Sequence, residues 1–387
     1  MNYQENDKNI KGNKIKKEYI PLNLELNHKY GISSKLVFSF LLTLILVTLI
    51  GINIREKNFQ LKTILPKKSI DNENGEKNFL ENLNTFLDKD EIYKNEMMNK
   101  HTTFELGGPA KYFIKPKSIN KIIKILKLCK EYSIDYFILG NGSNLLVSDK
   151  GYKGVVINIH ENNFSELKVE KVDEIHYKVI VGGGILMRNL AKKLCLLSLS
   201  GLEDIIDIPG TIGGGIIMNA SANRKKGLII NSLNKVKVIT PEGEILELSK
   251  KECKLRGRGS LLQDKKYIVI EATFHLIKEN KIIIQQSMTN HTSLRYSRQP
   301  MYFPSAGSFF VWKKPKFGSL YDKYKECNLV SFRIGDAMIY THNIAFIVNL
   351  GNATSNDVYR IVTHVEAIFK KKYNIKIRRE VVVLGSF

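Results

Sequence analysis

A chain of 387 residues, 43% apolar and 25% charged, has the length of about two to three domains, and its composition excludes a wholly disordered protein. Its formal net charge of +22 favours anionic partners such as nucleic acid, a dinucleotide or a nucleotide-sugar, or else reflects a lysine-rich solvated surface. Four cysteines 58 to 74 residues apart and eight histidines form no CxxC, HxxxH or HExxH pattern, so neither a metal centre nor a disulfide framework is expected.

Residues 1–34 read as a polar basic tail. Residues 36–54, "LVFSFLLTLILVTLIGINI", carry no charge, with Lys35 before them and Arg55 after them. At 1.5 Å per residue such a run spans roughly 28 Å, close to the hydrocarbon thickness of a bilayer. A core helix of that length would show a polar face, and no A-x-A site follows to suggest a cleaved signal. Residues 35–54 are therefore predicted to form a transmembrane helix, with the membrane as a partner. Residues 55–82, including "KKSIDNENGEKN", read as a polar linker.

From residue 83 short apolar runs alternate with amphipathic ones. "AKYFIKP" predicts a strand, and Ser118 can cap a helix over "INKIIKILKLCKEY". "YFILG", "KGVVINI" and "YKVIVGGG" predict strands, and "ILMRNLAKKLCLLS" a helix. "KVKVITPEGEILEL" predicts a hairpin that turns at Pro241 to Gly243. "YIVIEATFHL" predicts another strand. "NDVYRIVTHVEAIFKKKYNI" puts Val358, Ile361, Val362, Val365 and Phe369 on one helical face, and "EVVVLG" predicts the last strand. The class is α+β with many strands, not a regular βαβ repeat.

Two glycine-rich loops interrupt this pattern. "GNGSNLLV", Gly140 to Val147, follows a buried strand, and its backbone N–H groups could face phosphate oxygens. "DIPGTIGGGIIMNASA", Asp207 to Ala222, sets glycines beside large apolar residues, as backbone packed on a flat or polyanionic ligand would. Neither is a Walker A motif or a GxGxxG preceding a helix. Two such loops about 70 residues apart would suit an extended diphosphate cofactor.

"HTTFELGGPA", "GNGSNLLV", "IPGTIGGGIIMNA", "RQPMYFPSAGSFF", "FRIGDA" and "REVVVLG" stand in one order. Over about residues 83–387 the chain resembles the UDP-N-acetylenolpyruvoylglucosamine reductase family of peptidoglycan precursor synthesis. The interval from Arg258 to Ser308 resembles the short form that lacks an extra substrate-clamping loop. The resemblance implies two FAD-binding subdomains of the vanillyl-alcohol-oxidase type, at 83–147 and 148–277, and a substrate domain at 278–377. It also implies that a last strand, 378–387, returns to the first subdomain.

The resemblance further implies FAD as cofactor, NADPH as reductant and UDP-N-acetylglucosamine enolpyruvate as substrate, with no nucleic acid partner. The catalytic body would face the cytoplasm, anchored by residues 35–54. Hydride would reach C3 from flavin N5, leaving an enolate-like charge that must be stabilised and then protonated at C2. On this reading Arg258 stabilises that charge, since a guanidinium stays charged and can grip a carboxylate in two places. Glu380 assists, either protonated or tightly hydrogen-bonded, and Ser308 gives the proton. FAD contacts would come from Gly140, Asn141, Gly142, Ser143, Asn144 and Leu145, and from Pro209, Gly210, Thr211, Gly213, Gly214, Asn219 and Ala220. The chain departs from the family's pattern at Gly257, at Asn223 to Lys225, and at His342 and Asn343. These departures and the added anchor suggest an alternative, a catalytically impaired membrane-tethered binding or scaffold protein.

Overall fold

The structure is a computed structural model and describes residues 73–160, 163–220, 229–312 and 318–387, all within the unit Lys67–Phe387. The apolar run at 35–54 lies outside the described residues. Among those described, no helix is long and apolar enough to cross a membrane.

The first helix, α1 (Glu73–Asn84), lies partly inside the expected linker. Its Phe79 and Leu83 are one helical turn apart and fully buried. Phe79 sets its ring against Tyr112 at 5.3 Å and Tyr132 at 5.4 Å. Burying two large side chains stabilises the helix by several kcal/mol, roughly 1.5–3 for each. The linker reading of 55–82 is therefore corrected for residues 73–82: polar neighbours hid a short apolar stripe of Phe79, Leu80 and Leu83.

Next come β1 (Ile92–Met97), β2 (Pro109–Ile114), α2 (Ile119–Glu131), β3 (Tyr136–Leu139), β4 (Leu145–Val147) and β5 (Tyr152–Asn158). Four of these strands form a sheet ordered β1-β2-β5-β3, with β2 and β3 parallel to β5, and β4 lies outside it. Ser118 caps α2 by accepting from the Lys121 N–H, and Ile122, Ile125, Leu126 and Cys129 bury its apolar face.

A second sheet contains β6 (Leu167–Lys171), β7 (His176–Gly182), β8 (Leu199–Ser200), β9 (Leu233–Ile239), β10 (Ile245–Ser249) and β11 (Ile268–Lys278). Its order is β10-β9-β11-β7-β6, with β8 added on β11 and every pair antiparallel. The expected hairpin is β9–β10, closed where Gly243 N–H donates to Thr240 O at 2.9 Å. Helices α3 (Met187–Leu196) and α4 (Ile212–Ile217) lie between its strands in sequence. Ile239, Ile268 and Ile270 of this sheet complete the apolar cluster of the first.

Helix α5 (Lys281–Tyr296) is not among the expected helices. Its Met288 packs on the core of the second sheet, and Thr292 donates to Asp207. The domain boundary expected at residues 277/278 therefore falls ahead of a helix that packs back on the second sheet.

The remainder holds β12 (Ser305–Ser308), β13 (Phe310–Val311), α6 (Leu320–Glu326), β14 (Arg333–Ile334), β15 (Ala337–Ile339), β16 (Phe346–Asn349) and α7 (Ser355–Tyr373). Strands β17 (Arg378–Arg379) and β18 (Val382–Leu384) follow. A sheet ordered β12-β16-β15-β14 packs against α7, whose buried residues include Val358, Ile361, Val362, Val365 and Phe369. Thr354 and Asp357 close a capping box at its start, and Asn374 ends it in the left-handed region. The chain then returns: β17 pairs with β13, and β18 runs parallel to β4.

One buried acid carries a pH-dependent cost. Asp204 is 6% exposed, and among the described residues its Oδ2 has no hydrogen-bond partner. Burial raises its pKa from an ordinary 3.8 to about 7. Between those values the folded state holds a proton that the unfolded chain has lost. The contribution of Asp204 to stability therefore falls as pH rises, by about 1.4 kcal/mol per unit, and levels off above the folded pKa. Asp204→Asn is expected to flatten this slope, which urea unfolding at pH 5 and pH 8 would measure; an unchanged slope refutes the assignment.

Candidate active site

The two glycine loops expected to share a ligand meet in space. Gly140 lies so close to Thr211 that a Cβ there would come 2.6 Å from Thr211 Oγ1. Asn141 Nδ2 donates to Pro209 O at 2.9 Å, spanning the loops directly. Gly142 has φ +62, and a Cβ on it would sit 2.0 Å from His101 O. Only glycine fits both that conformation and that approach. Thr211 caps α4 by accepting from Gly214 N–H at 3.2 Å.

A third glycine run, Gly182 to Gly184, supports the second loop. Gly213 N–H donates to Gly183 O at 2.8 Å, and Ile212 N–H donates to Ile185 O at 2.9 Å. Sequence reasoning used "VGGG" only as a strand end. Its signal was a strand closing in three glycines, the same kind of signal that marked the other two loops.

Not every expected cofactor residue offers its side chain. Leu145 opens β4, and its side chain is buried in an apolar cluster with Met98, Phe113 and Val156. Ala220 turns its N–H back to Gly215 O at 2.7 Å. Asn219, at φ 47, donates from Nδ2 to Arg256 O at 3.1 Å. Among the described residues its Oδ1 is buried without a hydrogen-bond partner. That atom, and loops in which Gly140 and Gly142 leave no room for a Cβ, fit a cofactor carrying a diphosphate and hydrogen-bond donors.

Asn219 also leads to the second part of the site. The segment it holds turns tightly: Arg256 N–H donates to Gly259 O at 2.9 Å, with Gly257 and Arg258 at the corner. Arg258 takes the left-handed conformation, φ 58, uncommon for a residue with a Cβ. Arg378 Nη2 donates to Gly257 O at 3.2 Å and braces the turn. The two arginines of "LRGRGS" part company here. Arg256 pairs with Asp264 at 2.6 Å on a half-exposed surface, whereas Arg258 Nε lies 3.0 Å from Glu380 Oε1. The Arg258 and Glu380 side chains are 24% and 13% exposed, so their attraction is screened far less than that of a surface pair.

Glu380 stands between β17 and β18. Its N–H donates to Phe309 O at 2.7 Å, and its carbonyl accepts from Asn144 Nδ2 at 3.1 Å. Ser308 immediately precedes Phe309 and ends β12 opposite Phe346. Arg379 is occupied elsewhere, gripping Glu366 of α7 through two bonds of 2.6 and 2.7 Å. The structure therefore brings Arg258 and Glu380 into contact, sets Glu380 on the backbone beside Ser308, and ties both to the first glycine loop. Neither Arg378 nor Thr103, which links the loop to β12, was singled out from the sequence.

Of the three departures from the family's pattern, Gly257 lies in the Arg258 turn, and the other two fall elsewhere. Asn343 Nδ2 donates to Arg298 O at 2.7 Å, and its carbonyl accepts from Phe346 N–H at 2.9 Å, so it shapes the turn before β16. Residues 221–228, with Asn223 to Lys225, lie outside the described residues.

Residues 110–249 match the FAD binding domain family, and residues 299–384 match the C-terminal domain of UDP-N-acetylenolpyruvoylglucosamine reductase. The UDP-N-acetylenolpyruvoylglucosamine reductase of Alkaliphilus metalliredigens is 36% identical over 300 residues, covering 78% of this chain and 95% of that protein. That of Lachnoclostridium phytofermentans is 35% identical over 307 residues, covering 79% and 97%. Among solved structures, UDP-N-acetylenolpyruvylglucosamine reductase from Thermus caldophilus superposes with a TM-score of 0.61 at 28% identity, covering 75% of this chain and 98% of that one.

Proposed function

The chain belongs to the UDP-N-acetylenolpyruvoylglucosamine reductase family, and from that premise we propose that it uses FAD and NADPH to reduce UDP-N-acetylglucosamine enolpyruvate to UDP-N-acetylmuramate. The observation that carries this reading is the Arg258–Glu380 pair at 3.0 Å, held on the backbone next to Ser308 and to the glycine loop. When bound, FAD that NADPH has reduced supplies the hydride for enolpyruvyl C3.

The protein's own residues do the rest. The loops Gly140–Asn144 and Pro209–Gly214 hold the cofactor, with Asn219 Oδ1 as an acceptor. Arg258 binds the substrate carboxylate and spreads the charge that develops beside it. Glu380 orients the Arg258 guanidinium, and Ser308 delivers the proton to C2. A serine hydroxyl is a weak acid, so this step depends on fixed geometry and on a basic enolate. Residues 83–147 with 378–387, 148–277 and 278–377 serve as two cofactor subdomains and a substrate domain, with α5 at the junction of the last two. Residues 35–54 anchor the body on the cytoplasmic face, where NADPH is found.

The purified full chain is expected to be yellow, to bleach with NADPH, and to recover its colour when the enolpyruvyl substrate is added. An absorbance spectrum follows all three. A colourless protein that takes up no flavin overturns the reading. A protein that bleaches but never recovers with substrate restricts it to reduction of the flavin by NADPH.

A further inference from the structure

The hydrogen bonds around this site form a closed circuit. Thr103 N–H donates to Gly142 O of the first glycine loop at 3.3 Å. Ser305 N–H donates to Thr103 O at 3.1 Å, and Thr103 Oγ1 donates back to Ser305 O at 2.8 Å. Ser305 opens β12, which ends at Ser308. The next carbonyl, Phe309 O, accepts from Glu380 N–H, and Glu380 O accepts from Asn144 Nδ2. Asn144 returns the path to the loop where it began.

Strand β12 needs such a hold at both ends. Its register with β16 shifts between Ser305 and Ser308, and Gly307 between them has φ 80, with no atom of the described residues within 4 Å of where a Cβ would lie. A regular ladder would fix each residue by its neighbours, but a shifted one leaves the ends to set the position. Phe309 is anchored from one side by Ala345 and Glu380, through N–H to O bonds of 2.8 and 2.7 Å. At the other end two hydrogen bonds with Thr103 tie Ser305 to the cofactor loop.

We propose that Thr103 is a positioning residue that fixes the Ser308 hydroxyl relative to the cofactor, so that it governs protonation of the substrate and not reduction of the flavin. The inference rests on the reductase reading. A small displacement is enough to matter, because misplacement by about 1 Å can cost about a hundredfold in rate.

The test uses the full-length, FAD-loaded chain as wild type, Thr103→Val and Thr103→Ser. Valine keeps the shape and removes the hydroxyl, while serine restores it. Stopped-flow absorbance gives the bleaching rate with NADPH and the recovery rate with the enolpyruvyl substrate. For Thr103→Val we expect unchanged flavin content, bleaching within about twofold of wild type, recovery slower by about tenfold or more, and a fall in kcat without a rise in KM. Thr103→Ser should restore recovery. Recovery at the wild-type rate in the valine variant, equal slowing of both phases, loss of flavin, or failure of serine to rescue would each overturn the inference. A wild-type protein that neither bleaches nor recovers overturns the reductase reading itself, and the inference with it.

Discussion

Ser308→Ala is expected to leave the bleaching of the flavin by NADPH at its wild-type rate while reduction of the enolpyruvyl group falls on the order of 10²–10⁴-fold, the usual contribution of a positioned proton donor. The split arises because the hydroxyl has work only after the charge has formed on the substrate. The substitution is also structurally mild. Ser308 closes a short strand by backbone pairing with Phe346, and alanine preserves that backbone. Stopped-flow traces of the two phases give the result. A variant that loses its flavin, or slows in both phases alike, would make Ser308 a packing residue of the turn and remove it from the chemistry.

The second large effect is expected at Arg258. Arg258→Ala should lower kcat for the substrate about 10²–10³-fold, the loss seen when one donor to a developing negative charge is removed. Flavin content should not change. Arg258→Lys should be impaired too, because an ammonium is a compact point charge and cannot grip a carboxylate at two places. The fold should survive, but stability should fall by about 1–3 kcal/mol, because Glu380, whose side chain is 13% exposed, loses its guanidinium partner. The left-handed φ of 58 costs alanine about as much as it costs arginine, and the turn keeps its Arg256–Gly259 bond and its brace from Arg378. An Arg258→Ala protein that turns over within a few-fold of wild type would exclude the guanidinium from the mechanism.

Local elements were legible in the sequence where one physical signal dominated. Helix α2 announced itself through Ser118 and an apolar stripe, α7 through five residues on one face, and the β9–β10 hairpin through Pro241 to Gly243. Helix α1 was hidden because Phe79, Leu80 and Leu83 are the few apolar residues in a polar run. Helix α5 was hidden for the opposite reason: "KIII" reads as a strand, yet Ile282 and Ile283 are exposed and Ile284 alone of the three is buried. The motifs of the site were visible as separate strings, and their order carried the family resemblance. Their meeting was not visible. Asn144 and Glu380 are 236 positions apart, and Thr103 and Ser305 are 202 apart. No periodicity reports contacts of that range. Nor could spacing tell Arg256 from Arg258, because which guanidinium turns inward depends on Asp264 and Glu380, far apart in the chain.

The parallel pairing of β18 with β4 also has a consequence for how the protein is made. During synthesis β4 and the glycine loop before it emerge early, while the strand that completes them follows only after residues 148–381. Until then Asn144 lacks its partner at Glu380, and a three-residue apolar strand waits uncovered on a partly built domain. Such long-range closure is slow and exposes strand edges in the interim. Tight retention of the flavin should therefore appear late in biogenesis, and the unfinished chain is where holdase chaperones have the most to protect.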